Sequence, residues 1–123
     1  MNRQDLEKYI LDTYGVKPEY PWRKYSTFAV FRHDSNQKWF AVIMTIDKRK
    51  LGIKEDGQMD VVNMKCDANI VPSMWEQNGI YPAYHMNKEH WLTVALDDST
   101  AENNFKFLLA LSYDLTDTKF KKV

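Results

Sequence analysis

The side chains best suited to bind a metal or to act as a nucleophile are two histidines and a cysteine in the second half of the chain. His85 and His90 are five residues apart, which is not the spacing of a helical metalloprotease pair, and methionine rather than glutamate follows His85. Cys66 could join them as a third metal ligand, or become a nucleophile if a helix N-terminus lowers the pKa of its thiol. More commonly, such histidines are hydrogen-bonded within a loop and a lone cysteine is a small core residue. These residues therefore predict neither a metal site nor a catalytic nucleophile.

Motifs for cofactor binding and for carboxylate catalysis are weak. No glycine-rich phosphate loop is available, because the glycines are scattered singly at Gly15, Gly52, Gly57 and Gly79. The pair Asp97-Asp98 is explained by the end of a strand and the entry to a helix. We therefore predict a protein that has no cofactor and is not an enzyme.

Basic side chains are the more suggestive group. The formal net charge is zero, but residues 1–54 contain 11 basic and 6 acidic side chains, whereas residues 55–117 contain 3 basic and 11 acidic ones. An uneven distribution of this kind can give a neutral protein a positive face. We predict that six cations near the predicted hairpins contact DNA phosphates: Arg32, Lys38, Lys48, Arg49, Lys50 and Lys54. The alternative is that they are solvated charges that protect the edges of a sheet.

The size and composition of the chain predict one domain over residues 1–123. The single cysteine excludes an intrachain disulfide, and no basic-then-apolar leader begins at Met1, so we expect a reducing, cytoplasmic location. No apolar run approaches the roughly 20 residues needed to cross a bilayer. We expect a monomer that does not contact membranes, with no protein partner specified.

Hydrophobic periodicity predicts the elements that must position these side chains. Residues 3–14 have the spacing of an amphipathic helix, and Gly15 is a natural C-terminal cap. The proline-containing segment that follows reads as an extended connector anchored by Trp22. Residues 27–32 and 38–46 are rich in β-branched and aromatic residues on either side of a turn-forming segment. They predict a first β-hairpin.

A second hairpin and a helix are predicted for the middle of the chain. Residues 51–54 and 59–66 flank Asp56-Gly57, which is a strong hairpin signal. Asp67 is a good N-cap for a helix that extends to about Asn78. We expect this helix to begin early, with its first turn kinked by Pro72, rather than to begin late with Pro72 in its first turn.

The last part of the chain predicts a strand followed by a long helix. In residues 91–96, Leu92, Val94 and Leu96 alternate with Trp91, Thr93 and Ala95, a pattern that predicts a strand whose two faces are both at least partly buried. Ser99 and Glu102 have the spacing of a capping box, so a helix should begin there and continue to about Asp117. Residues 118–123 are expected to fray. The order α-β-β-β-β-α-β-α predicts an α+β fold with helices packed on one face of an antiparallel sheet.

Blocks of sequence that span nearly the whole chain resemble the MmcQ/YjbR family. They are Pro21-Trp22, Phe31-Arg32-His33, Lys38-Trp39-Phe40-Ala41, Asn63-Met64-Lys65-Cys66-Asp67, residues 84–94 and Ser112-Tyr113-Asp114-Leu115. The HxNKxHW block is fairly specific, and the joint pattern of all the blocks is more so. The resemblance implies a small cytoplasmic bacterial protein with the CyaY-like fold that frataxins share. It also implies that this protein binds DNA through a double wing made by its two hairpins. Frataxins also suggest iron binding, but here Arg3 and Lys8 interrupt the carboxylates of the first helix.

Six residues fall on the family motif: Lys65, His85, Asn87, Lys88, His90 and Trp91. We expect them to form one polar-aromatic patch where the 85–90 loop meets the sheet. In it, Asn87 would brace the loop, His90 and a buried Trp91 would be structural, and the remaining three would be available for binding. The alternative function is therefore a non-enzymatic module that binds a protein or small ligand at this patch. It predicts a concave apolar pocket beside the loop.

Overall fold

The computed structural model describes residues 1–117, which form a five-stranded antiparallel sheet with helices on one face. The elements are α1 (Arg3–Tyr14), β1 (Ala29–Arg32), β2 (Trp39–Asp47), a 3₁₀ turn (Lys48–Leu51), β3 (Gln58–Lys65), α2 (Val71–Met74), β4 (Ile80–Pro82), β5 (Trp91–Ala95) and α3 (Glu102–Thr116). The strand order is β1-β2-β3-β5-β4. The predicted α+β class is confirmed. No helix within the described residues is long and apolar enough to cross a membrane.

The two faces of the sheet have different coverings, because side chains alternate along each strand. On the helix face, Val62 of β3 belongs to a core that includes Leu6 of α1 and Leu109 of α3. On the opposite face, Val61 packs with Val42 of β2. Connecting segments rather than helices cover this second core, through the partly buried side chains Trp22, Phe28, Tyr84 and Met86. We call this second face the loop face.

The predicted first helix and first hairpin are confirmed. A reciprocal cap, in which the Asn2 side chain accepts the Asp5 N–H at 2.8 Å, begins α1, and Gly15 in the left-handed conformation (φ 69°) ends it. The strands β1 and β2 pair antiparallel as expected. The connector before them is extended, with a bridge between Glu19 and Val30.

The predicted strand at residues 51–54 is wrong. Instead, Asp47 accepts the Arg49 N–H at 3.0 Å and starts the 3₁₀ turn, which Gly52 ends at φ 78°. The strand β3 pairs directly with β2, from Val42–Asn63 to Asp47–Gln58. The two hairpins therefore share β2, and their connections lie at opposite ends of that strand.

The helix predicted from Asp67 to Asn78 is wrong in its start and its length. Only Val71–Met74 form α2, with Pro72 in the first turn. Proline has no amide hydrogen, so it is tolerated in the first turn of a helix, where that hydrogen would have no intrahelical partner, but not in the interior of a helix that begins at Asp67. After α2, Ile80–Pro82 form the edge strand β4, which was not predicted.

The predicted strand at residues 91–96 and the final helix are confirmed, but the capping box is wrong. The helix α3 begins at Glu102, and its N-cap Ala101 makes no side-chain hydrogen bond. The buried Thr100 hydroxyl instead donates to the Ala95 carbonyl at 3.0 Å, and the Ser99 N–H donates to Asp97. Both polar residues stabilise the loop rather than the helix start. Residues 118–123, which were expected to fray, lie outside the described residues.

Candidate functional site

A concave apolar pocket lies on the loop face. We call it the aromatic pocket; it has a volume of about 220 Å³ and is lined by Trp22, Tyr25, Phe28, Trp39, Val42, Met44, Asn63, Tyr84, His85 and Met86. An apolar cavity of roughly 150 Å³ is sufficient to hold benzene. The aromatic pocket therefore has room for one ring with a substituent. A pocket of this kind beside the 85–90 loop was the expectation of the alternative function, and it is present.

Aromatic contacts hold one wall of the pocket in place. The indole of Trp22 meets Trp39 edge-on, with 5.6 Å between ring centroids, and meets Phe28 in the same way at 6.2 Å. Tyr25 stacks on Phe28 with centroids 4.9 Å apart and is half exposed. Edge-to-face and stacked pairs of this geometry are favourable beyond the area they bury. Most of this wall is therefore formed before any ligand arrives.

Asn63 supplies the polar floor of the pocket and anchors the loop above it. Its side-chain nitrogen donates to the Tyr84 carbonyl at 2.8 Å, and its oxygen accepts from the Thr93 hydroxyl. The same hydroxyl accepts the Tyr84 N–H at 2.8 Å. Because buried polar groups need partners, this network ties Tyr84 firmly to β3 and β5. The expected patch did not include Asn63, although a polar residue within the apolar run Val61–Met64 was a signal for it.

His85 contributes an exposed imidazole to the edge of this pocket. Its backbone is left-handed, with φ 60°, a conformation in which histidine is more frequent than most residues other than glycine. The imidazole lies against the Tyr84 ring, with 3.9 Å between centroids. His85 therefore adds a group that can donate or accept hydrogen bonds to an otherwise largely apolar lining.

The rest of the 85–90 loop is held by contacts within the protein. The Asn87 side chain accepts the Glu89 N–H at 2.8 Å, so it braces the loop as expected. Lys88 Nζ donates to the Ala83 carbonyl at 2.9 Å. The exposed His90 contributes its main chain, whose carbonyl accepts the Cys66 N–H at 2.7 Å.

The six motif residues divide among several places rather than forming one patch. Lys65 and Trp91 are paired across β3 and β5, and they line a cleft beside the aromatic pocket. Trp39 lines both the cleft and the pocket. Trp91 is half-buried rather than buried. Of the three residues expected to be available for binding, only His85 reaches the aromatic pocket.

The predicted DNA contacts lie at two separate ends of β2. Arg32 and Lys38 are at one end, and Lys48, Arg49, Lys50 and Lys54 are at the other. The eight residue steps of β2 separate them by about 26 Å, at 3.3 Å per residue. Arg32 lies 3.3 Å from a Glu19 carboxylate oxygen and sits over the Trp39 ring at 5.6 Å, so its guanidinium is already engaged.

Two of the four cations in the connection between β2 and β3 are paired within that connection. Arg49 makes two hydrogen bonds to Asp56, at 2.8 and 3.1 Å, and Lys48 lies 3.7 Å from Glu55. Lys50 and Lys54 are exposed and form no ion pair with the described residues, and the same holds for Lys38 at the far end. Of the six predicted DNA contacts, these three lysines are therefore the ones that are exposed and in no ion pair with the described residues.

Cys66 is placed as a core residue. It is buried on the helix face, and burial raises the pKa of its thiol to about 11. Little thiolate is therefore present near neutral pH, which disfavours nucleophilic chemistry. His85 belongs to the opposite face, and no group of three or more His, Cys, Asp or Glu side chains in residues 1–117 is arranged to hold a metal ion. The geometry does not favour a metal shared by Cys66, His85 and His90.

Comparison with known proteins gives matches over nearly the whole chain. The family model YjbR matches residues 11–115. The Bacillus subtilis protein YyaQ, described as uncharacterized, is 38% identical over 116 residues, which cover 94% of this chain and 98% of YyaQ.

Solved structures share the fold. A crystal structure of a Pseudomonas syringae protein has 44% sequence identity and a TM-score of 0.93, and the match covers 95% of this chain and 100% of that one. A solution NMR structure from the same organism gives a TM-score of 0.86 at 44% identity, covering 95% and 94% of the two chains. A Deinococcus radiodurans protein with a DUF419 domain has a TM-score of 0.71 at 24% identity, covering 99% and 82%, and supports the fold alone.

Proposed function

This chain belongs to the YjbR family, and we propose that it is a non-enzymatic binding module whose ligand site is the aromatic pocket. The observation that carries the proposal is the pocket itself: an apolar cavity of about 220 Å³ with a buried amide, Asn63, in its floor and His85 at its edge. Small-molecule sites are typically concave and mostly apolar, with a few polar groups that orient the ligand.

The size of the pocket indicates what affinity to expect. A single ring that buries about 150 Å² of apolar surface gains roughly 4 kcal/mol, at ~25 cal/mol per Å². Because association also costs translational and rotational freedom, the dissociation constant should be no tighter than about 1 mM. A ring alone would therefore bind weakly, and the natural ligand must gain further affinity from polar groups.

An NMR screen of single-ring compounds at millimolar concentration tests the proposal. We expect binders to shift the amide signals of pocket residues, and the variant Val42→Phe to abolish these shifts because the added ring fills the cavity. Ala110→Phe, on the exposed surface of α3, is the control and should leave binding intact. If no compound shifts the pocket signals, or if Val42→Phe binds as well as the unmodified protein, the proposal is wrong.

DNA binding is a second candidate function, which the exposed lysines Lys38, Lys50 and Lys54 favour. Because the two basic ends are separated by β2, we propose that the β2–β3 connection makes the main phosphate contacts. Arg32, Lys48 and Arg49 already face carboxylates and should contribute less. The neighbouring Glu55 and Asp56 would also weaken attraction to phosphates.

Fluorescence anisotropy with a labelled random-sequence DNA duplex tests this second candidate. Binding should weaken steeply between low and physiological salt, because each phosphate contact releases counterions. The double variant Lys50→Gln/Lys54→Gln should lose most of the affinity for DNA. The control Lys8→Gln/Lys106→Gln, which removes one lysine from α1 and one from α3, should keep it. Absence of binding at low salt, or equal loss in both variants, would rule out the β2–β3 connection as a DNA contact.

A further inference from the structure

A groove lined by two lysines lies beside the aromatic pocket. It has a volume of about 420 Å³ and shares Tyr25, Phe28 and Tyr84 with the pocket. Beyond these shared residues its lining includes Lys24, Lys50, Asp47, Thr45 and Gln58, and we call it the basic groove. The two cavities are therefore adjacent, so a polar groove lies next to the apolar pocket.

The charges that face the basic groove are two cations and one anion. Lys24 Nζ lies 5.9 Å from the Tyr25 ring centroid, and Lys50 forms no ion pair with the described residues. The Asp47 carboxylate already accepts the Arg49 N–H at 3.0 Å, where it caps the 3₁₀ turn. Lys50 also lines a smaller cavity together with Tyr84 and Lys88. The groove is therefore net positive.

We infer that the ligand is an amphipathic anion. Its ring lies in the aromatic pocket, and a carboxylate or similar anionic oxygen group lies between Lys24 and Lys50 in the basic groove. This inference rests on the proposed function, because it assigns a ligand class to the same pocket. The aromatic lining alone would also attract a cation, but the two ammonium groups repel one and stabilise an anion.

A matched series of ligands tests the charge preference on the full chain. Phenylbutyrate, phenylbutyramide and phenylbutylammonium have the same ring and chain but end in an anionic, a neutral and a cationic group. We expect phenylbutyrate to bind about fivefold more tightly than the amide, since surface ion pairs with lysine are individually weak. The ammonium compound should bind most weakly, and added salt should reduce the differences in affinity among the three compounds.

Substitution of Lys24 and Lys50 tests whether these two lysines cause the preference for an anionic ligand. In Lys24→Gln/Lys50→Gln, phenylbutyrate should lose its advantage over the amide, whereas Lys106→Gln on α3 should preserve it. If phenylbutyrate and the amide bind the pocket equally, or if the ammonium compound binds most tightly, the inference is wrong but the pocket remains a ligand site. If none of the three compounds shifts the pocket signals at millimolar concentration, the inference is wrong, and the proposed function is wrong as well if no other single-ring compound of the screen shifts them.

Discussion

At the scale of single residues, Asn63 links the fold to the candidate site. It is 1% exposed, and its amide bonds both the main chain of Tyr84 and the side chain of Thr93. One side chain therefore joins β3, β5 and the segment that carries His85. Because the hydrogen bond between Asn63 and Thr93 is buried, water cannot easily replace either partner if that bond is lost.

We expect Asn63→Ala to lower the free energy of unfolding by about 2–3 kcal/mol, because the Tyr84 carbonyl and the Thr93 hydroxyl lose a buried partner. Urea unfolding measures the change. The control Asn103→Ala, on the exposed side of α3, should alter it by less than ~0.5 kcal/mol. Equal stability of the two variants would show that the network does not hold the loop.

A second residue that should influence stability is His33, which is buried just after β1. Its Nε2 lies 2.8 Å from the Thr116 hydroxyl, and its ring is 4.3 Å from Tyr113. Burial lowers the pKa of the imidazole, against smaller opposing effects from Asp117 and from a hydrogen bond with the Tyr113 main chain. The folded protein therefore binds this proton less readily than the unfolded chain does.

The stability of the protein should depend on pH through His33. Because the pKa of His33 is lowered in the folded state, its contribution to stability is complete above the ordinary histidine pKa of about 6.5 and is lost as the pH falls from there through the lowered pKa of the folded protein. Urea midpoints between about pH 7.5 and about pH 5.5 should show this decrease. His33→Gln should reduce the decrease, whereas His90→Gln at an exposed site should not. The same pH dependence in His33→Gln would contradict the assignment.

At the scale of secondary-structure elements, β4 shows how a strand depends on its partner. Its three residues Ile80–Pro82 pair with Val94–Leu92 of β5, at the edge of the sheet. Proline is acceptable there because an edge strand has one side without ladder hydrogen bonds. Just before β4, the Gly79 carbonyl accepts the Ala95 N–H at 2.8 Å, and the backbone turns with φ 80°.

We expect Gly79→Ala to destabilise the protein by about 2–4 kcal/mol, from the cost of a positive φ and a steric conflict. A methyl group at this position would collide with the Thr100 hydroxyl, which is itself hydrogen-bonded to Ala95. Gly52→Ala is the matched control, because Gly52 has φ 78° but open space around it. It should lose only about 1 kcal/mol in urea unfolding. Equal losses would show that the contact with Thr100 is easily relieved.

At the scale of the whole molecule, the central strands are the most protected part. The strands β2 and β3 contribute to the cores on both faces, and β2, β3 and β5 are each paired on both sides, whereas β1 and β4 form the edges. Buried, doubly paired strands open only when the whole domain unfolds. The sheet is thus expected to be less stable at its edges than at its centre.

Amide hydrogen exchange should reveal this gradient. We expect the amides of Val61–Met64 to exchange at a rate close to that of global unfolding, and the amides of β4 to exchange much faster through local opening. NMR-detected exchange at several urea concentrations distinguishes the two processes. If β4 exchanges as slowly as β3, the edge strand is part of the global unfolding unit and the gradient is absent.

The sequence by itself determined the elements whose signals lie within one short segment. The spacing of Leu6 and Ile10 with the Gly15 cap predicts α1, the residues around the 33–37 turn predict the first hairpin, and apolar spacing predicts α3. Each depends on contacts between residues that are close along the chain, so local rules are sufficient. The family resemblance also identified the 85–91 block that contains the loop of the candidate site.

Only the tertiary structure decided which segments pair and where the site forms. A strand needs a partner, so residues 51–54 become a turn while Ile80–Pro82 pair with β5. Likewise, Ser99 is hydrogen-bonded to Asp97 instead of capping a helix. The aromatic pocket joins side chains such as Trp22, Asn63 and Tyr84 from segments far apart in the chain. Their proximity follows from sheet register and burial, which are properties of the whole fold that no local pattern contains.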